Sequence, residues 1–96
     1  ARVGLVQTDL ITTAVEAAAL EFGPRRVGVY SSSPLSPAAG VLYQPMSGNP
    51  SQVAHELFAV LRWFDVQGAR QIWVEAPPET TDWDGVRDRL QRASTP

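Results

Sequence analysis

The chain has no cysteine and no lysine, and its 96 residues include one histidine, His55, and one methionine, Met46. Without cysteine there is no disulfide framework, no thiolate nucleophile and no cysteine-ligated zinc, and a reducing compartment is the default setting. All eight cationic side chains are arginine, which excludes a Schiff-base lysine, a P-loop lysine and a lysine general base. A lone histidine leaves no histidine-rich metal site, and no metal ligand is assigned. The longest strictly apolar run is Leu57 to Leu61 (LFAVL), far short of a bilayer span, so a soluble, cytoplasmic product with no membrane partner is expected. Charge is nearly balanced as well. Ten carboxylates against eight arginines give a net charge of -2, so no long-range field draws in a phosphate backbone and strong direct nucleic-acid binding is not expected.

What remains is a composition with 44% hydrophobic residues, enough for one compact core at this length. Residues 1–96 are therefore expected to form a single domain. Because the chain opens on Ala1 and its methionine is internal, it is also expected to be a fragment of a longer protein.

Arg2 to Val6 (RVGLV) reads as a β-strand, followed by a polar turn and an alanine-rich helix. Thr13 and Glu16 have capping-box spacing, Asp9 offers an earlier cap, and Gly23-Pro24 stops the helix. Arg26 to Tyr30 (RVGVY) is a second strand, and Ser31 to Gly40 (SSSPLSPAAG) must be a loop. Gly40 to Gln44 reads as a third strand closed by Pro45, either parallel or antiparallel to the second. The loop before it can stretch about 33 Å, enough to cross the sheet.

The second helix has both ends specified, with Asn49 as N-cap, Pro50 at the first helical position and Gly68 just past the end. Val53, Leu57, Val60, Leu61 and Phe64 share one stripe at about 100° per residue, flanked by Phe58 and Trp63, with His55 on the far side. Gln71 to Ala76 (QIWVEA) is apolar enough to be a central strand buried on both faces, and Pro77-Pro78 ends it. Thr81 then caps a last helix to about Ala93, with Trp83, Val86, Leu90 and Ala93 as its core stripe. The order predicts an α/β fold: a small Rossmann-like three-layer sandwich, with a mostly parallel four-stranded sheet and three helices.

Ligands of such sheets sit beyond the carboxyl ends of the strands. Ser31, Ser32 and Ser33 leave the second strand and Glu75 lies near the exit of the fourth, so these four are the candidate ligand-binding residues. A solvated connector explains the serines equally well. The first βα turn, Gln7-Thr8-Asp9-Leu10, has no glycine and lacks the dinucleotide fingerprint. Gly4 and Gly28, inside strands, are expected to let a helix pack closely. No nucleophile elbow accompanies Ser31, Ser33 and His55, so no catalytic residue is assigned. Glu56, Asp65 and Glu75 have no metal or acid/base spacing and are read as solvated carboxylates. Asp84, Asp88 and Arg92 have helical pairing distances. Trp63 and Trp83 are either core residues or a covered docking surface.

Four stretches carry a family resemblance: Arg26 to Ser31 (RVGVYS), Ala54 to Arg62 (AHELFAVLR), Ile72 to Pro78 (IWVEAPP) and Val86 to Ala93 (VRDRLQRA). In order and spacing the chain resembles the C-terminal accessory domain of bacterial threonylcarbamoyl-AMP synthases. Arg2 to Val6 resembles the strand that follows that family's interdomain linker. The resemblance implies a parent enzyme that makes threonylcarbamoyl-adenylate from ATP, threonine and bicarbonate for threonylcarbamoyladenosine modification of tRNA. Its chemistry belongs to an N-terminal YrdC-type catalytic domain, which would use the ATP and Mg. No catalytic residue and no cofactor transfers to this chain. The implied partner is that catalytic domain, with other tRNA-modification proteins reached only indirectly, and Phe58, Trp63 and Leu35 in the Ser31 to Pro37 loop are the candidate interdomain surface. The rival reading is a small nucleotide- or phosphometabolite-binding α/β domain, with hydrolytic activity at Ser31, Ser33 and Glu75. A third is a protein-interaction module unrelated to tRNA.

Overall fold

The structure, a computed structural model, describes residues 1–32 and 40–94. The described residues form four strands, β1 (Arg2–Val6), β2 (Val27–Ser31), β3 (Leu42–Pro45) and β4 (Gln71–Glu75), and three helices, α1 (Ile11–Phe22) between β1 and β2, α2 (Pro50–Val66) between β3 and β4, and α3 (Asp84–Ser94) after β4. The strands form one sheet in the order β1-β4-β2-β3, and every pairing is parallel. β3 is thus parallel to β2, one of the two directions its sequence allowed. Its bounds lie one or two residues later than expected, and Pro45 ends it in place because an edge strand tolerates a missing N–H.

β4 is central, as its apolar character predicts. Val3 lies opposite Ile72 on one side while Gly28 lies opposite Ile72 on the other. The period-2 alternation of a strand then sorts the side chains into two layers. Val27 and Val29 pack with Ile11, Val15 and Ala18 of α1. On the other face, Tyr30, Ile72 and Val74 pack with Val53, Leu57, Leu61 and Phe64 of α2 and Val86 and Leu90 of α3.

α2 begins and ends where its sequence dictates. The Asn49 side chain accepts hydrogen bonds from the N–H groups of Ser51 and Gln52, satisfying donors the first turn leaves open. At the other end Gly68 has φ +92°, its N–H donates to Asp65, and the N–H of Ala69 donates to Phe64. These two bonds form a Schellman motif, which needs a residue tolerant of positive φ at this position.

α1 starts differently from expectation. A 3-10 turn over Thr8–Leu10 runs directly into Ile11, Leu10 occupies the N-cap, and no side chain caps the helix. Neither Asp9 nor Thr13 therefore acts as the cap, because the preceding turn already directs the chain into the helix. The last helix shows the same pattern. Thr80, not Thr81, precedes a 3-10 turn over Thr81–Trp83 that leads into Asp84, again without a side-chain cap. The expected helix pairing is present, with Arg92 bonded to Asp88 at 3.1 Å and Arg87 paired with Asp84.

Both strand glycines leave room for an aromatic ring. A Cβ on Gly28 would lie 2.5 Å from the Phe64 ring of α2, and one on Gly4 would lie 2.4 Å from Trp73. The first is the close helix approach the sequence suggests. The second corrects it: a side chain of the neighbouring strand β4, not a helix, fills the space over Gly4.

Gly28→Ala is accordingly expected to cost about 1–3 kcal/mol by overpacking, read as a lower urea midpoint at unchanged slope. Combining it with Phe64→Leu should cost less than the sum of the two single changes, because the smaller side chain vacates the contested space.

Candidate functional site

The polar groups converge at the carboxyl edge of the sheet. Glu75 is the last residue of β4 and, contrary to a solvated reading, is only 5% exposed. A carboxylate this buried requires donors, and it has them from two other strand exits. Its Oε1 accepts from the Ser32 N–H at 2.9 Å and the Ser32 hydroxyl at 2.6 Å, and its Oε2 accepts from the Thr8 hydroxyl at 2.7 Å. Thr8 follows β1 and Ser32 follows β2, so one carboxylate joins the exits of three strands.

The candidate serines separate here. Ser32 is exposed and bonded to Glu75, whereas Ser31 is fully buried. The Ser31 carbonyl accepts from the Met46 N–H at 2.9 Å and the Tyr43 hydroxyl at 3.1 Å, tying β2 to the exit of β3. Ser33 and Leu35 lie outside the described residues.

A cleft of about 440 Å³ opens beside Glu75, walled by Thr8, Ser32, Ser47, Gly48, Glu79 and Trp83 among others. Thr8 and the Ser47-Gly48 wall escaped the sequence reading. Only the parallel register, which sets the exits of β1, β4 and β2 side by side, brings them to Glu75. Among the described residues no three histidine, cysteine or carboxylate side chains converge as a metal site.

Behind the cleft, Tyr30 is fully buried on the α2 face and donates to Glu56 Oε1 at 3.1 Å. Burial raises its phenol pKa well above the ordinary value near 10, and the charge of Glu56 and the hydrogen bond to it raise it further. Glu56 is thereby a partner of a buried hydroxyl and not a purely solvated carboxylate.

The other candidate surface lies on α2. Phe58 is 50% exposed and Trp63 37% exposed, while Trp83 is buried in the core. Trp83 is thus a core residue, whereas Trp63 is partly exposed. Val66 is exposed at the same end of the helix, and His55 faces solvent as its helical position predicts.

An open, all-parallel α/β sheet with helices on both faces, and a cleft at the carboxyl ends of its strands, defines a Rossmann-like sandwich. Within that class the sequence matches the family described as "Threonylcarbamoyl-AMP synthase, C-terminal domain" over residues 1–95, and the chain belongs to this family. No curated protein and no solved structure gives a significant match. Among the described residues no helix is long and apolar enough to cross a membrane.

Two measurements follow from this geometry. Glu75→Ala is expected to lower stability by about 2–3 kcal/mol, since it leaves the Ser32 N–H and two hydroxyls without their acceptor; thermal unfolding against Ser32→Ala and Thr8→Val reports the difference. For Tyr30, a raised folded pKa means the folded state holds its proton after the unfolded chain has lost it. Stability should therefore fall as pH rises past about 10, and Tyr30→Phe should flatten that slope in alkaline denaturation curves.

Proposed function

We propose that this chain is a noncatalytic accessory domain, residues 1–96 of a longer cytoplasmic threonylcarbamoyl-AMP synthase. It acts by contact with the YrdC-type catalytic domain of the same protein. In this reading threonylcarbamoyl-adenylate formation from ATP, threonine and bicarbonate, with its Mg, takes place wholly on the catalytic domain. The accessory domain positions the segment joining the two and so regulates turnover. Its link to tRNA modification runs through the product of its partner, in keeping with a net charge of -2.

The observation that carries this reading is the outer surface of α2. One side of this helix is fixed in the core by Val53, Leu57 and Phe64, yet Phe58, Trp63 and Val66 remain exposed. Large aromatic side chains on a rigid, well-capped helix suit a docking role, because little conformational freedom is lost when they are covered. Family membership supports reading the partner as the catalytic domain of the same synthase. At the strand exits, the Glu75 carboxylate already serves Thr8 and Ser32 as acceptor, which suits a structural brace.

The test is an amide-resolved NMR titration of the chain with a separately produced YrdC-type domain. Broadening centred on Phe58, Trp63 and Val66 is expected. Phe58→Ser and Trp63→Ser should each weaken association by about tenfold or more while leaving the chain folded, as thermal unfolding of each variant reports. Unchanged spectra on adding the catalytic domain would overturn the proposal.

A further inference from the structure

The sheet has two edges, and one of them is blunted. β3 closes on Pro45, and because the Met46 N–H turns inward to the Ser31 carbonyl, the proline nitrogen faces the open side and has no donor to offer a further strand. β1, at the other edge, contains no proline, and its register with β4 runs through five residues without a bulge. The Arg2 N–H donates to the Arg70 carbonyl at 3.0 Å, and the Val6 carbonyl accepts from the Ala76 N–H at 2.8 Å. Arg2, Gly4 and Val6 therefore turn their backbone groups toward β4, and by the alternation of a strand Val3 and Leu5 turn theirs outward. Both of these side chains are only half-buried. Beside them lies a groove of about 350 Å³, lined by Leu5, Val6, Leu10, Pro77 and Gln91 among others, with Leu10 55% exposed. An open, regular edge with apolar surface next to it is a template for one more strand.

Charge along the edge selects that strand and its direction. At the amino end Arg2 and Arg70 stand together with a single carboxylate, Glu21. At the carboxyl end Asp9 lies exposed in the turn that follows β1, and Glu79 lines the groove. Among the described residues Arg2, Arg70, Asp9 and Glu79 form no ion pair, while Arg87, in the same groove, is paired with Asp84. The edge is thus positive where β1 begins and negative where it ends. A second β1 laid alongside in the same direction would set like charges together. Laid antiparallel, it sets the Arg2 end of each copy against the Asp9 and Glu79 end of the other, which is the complementary arrangement.

We propose that the partner at this edge is a second copy of the chain, joined through antiparallel β1 strands about a two-fold axis, so that the two sheets become one. With the axis at Gly4, Val3 of each copy lies opposite Leu5 of the other, and every outward N–H meets an outward carbonyl. Gly4 then faces Gly4 at the narrow, non-hydrogen-bonded spacing of about 4.5 Å, where neither copy has a side chain to obstruct the approach. This pairing uses none of Phe58, Trp63 and Val66, so it goes beyond the docking role of α2 and does not depend on it.

Sedimentation velocity of the chain over a concentration series, paired with amide hydrogen exchange, tests this. A dimer whose population rises with concentration is expected, the Val3 and Leu5 amides becoming protected in step with it. Arg2→Glu, at an exposed position, should weaken dimerisation by about tenfold or more by setting carboxylates against carboxylates. Adding Asp9→Arg and Glu79→Arg to that variant should restore it. Val3→Pro removes an outward N–H and spares every bond to β4, so it should weaken the dimer in a chain that circular dichroism reports as folded. A monomer at every concentration, a dimer whose Val3 and Leu5 amides still exchange freely, or one indifferent to Arg2→Glu would overturn the proposal. None of these results bears on association with the catalytic domain, which the Phe58 and Trp63 variants report separately.

Discussion

The sheet depends on the insertion of β4 between β1 and β2. Those two strands are joined by α1 in sequence yet do not pair with one another; each pairs with β4 instead. A strand in this position must satisfy the backbone of both neighbours and present apolar side chains to both helical layers. Ile72 and Val74 meet this demand toward α2 and α3, and Trp73 meets it toward α1 by lying over Gly4. Glu75, at the exit of the same strand, then binds the turns that follow β1 and β2. The central strand and its terminal carboxylate therefore fix the spacing of the whole carboxyl edge, including the cleft that opens there.

Much of this architecture was legible in the amino-acid order. Asn49, Pro50 and Gly68 marked both ends of α2 because each meets a local backbone requirement that no distant contact can alter. The near-continuous apolar run of Gln71 to Ala76 marked β4 as central for an equally simple reason: it leaves little of either face for water. The start of α1 was less legible, since a 3-10 turn replaces the side-chain cap and Leu10 carries no capping signal. Thr81 fails as a cap for the same reason, since a 3-10 turn leads into the last helix as well.

The site was read only in outline. The element order puts Glu75 and Ser32 together at the strand exits, but a carboxylate close to a proline pair looks solvated until the register is known. Thr8 sits 67 residues away from Glu75 in the chain, and no local pattern links them. Likewise, Trp63 and Trp83 both lie at the margin of a helical stripe, and only three-dimensional packing decides that the first reaches the surface and the second does not. The alternation within β2 settles Ser31 too: it follows Val27 and Val29 into the α1 face and is removed from the solvent that Ser32 reaches.

The strand order also governs how the protein can be made. During vectorial synthesis β1, α1, β2 and β3 emerge before β4, so β1 has no strand to pair with until Glu75 has left the ribosome. Up to that moment the growing chain holds at most the β2–β3 pair, and two strands alone are marginal in water. Closure must then bring together segments far apart in sequence, the kind of contact that slows folding and leaves strand edges unpaired meanwhile. A nascent domain built in this order is vulnerable to proteases and to self-association through nearly all of its translation, and becomes protected in a single late step.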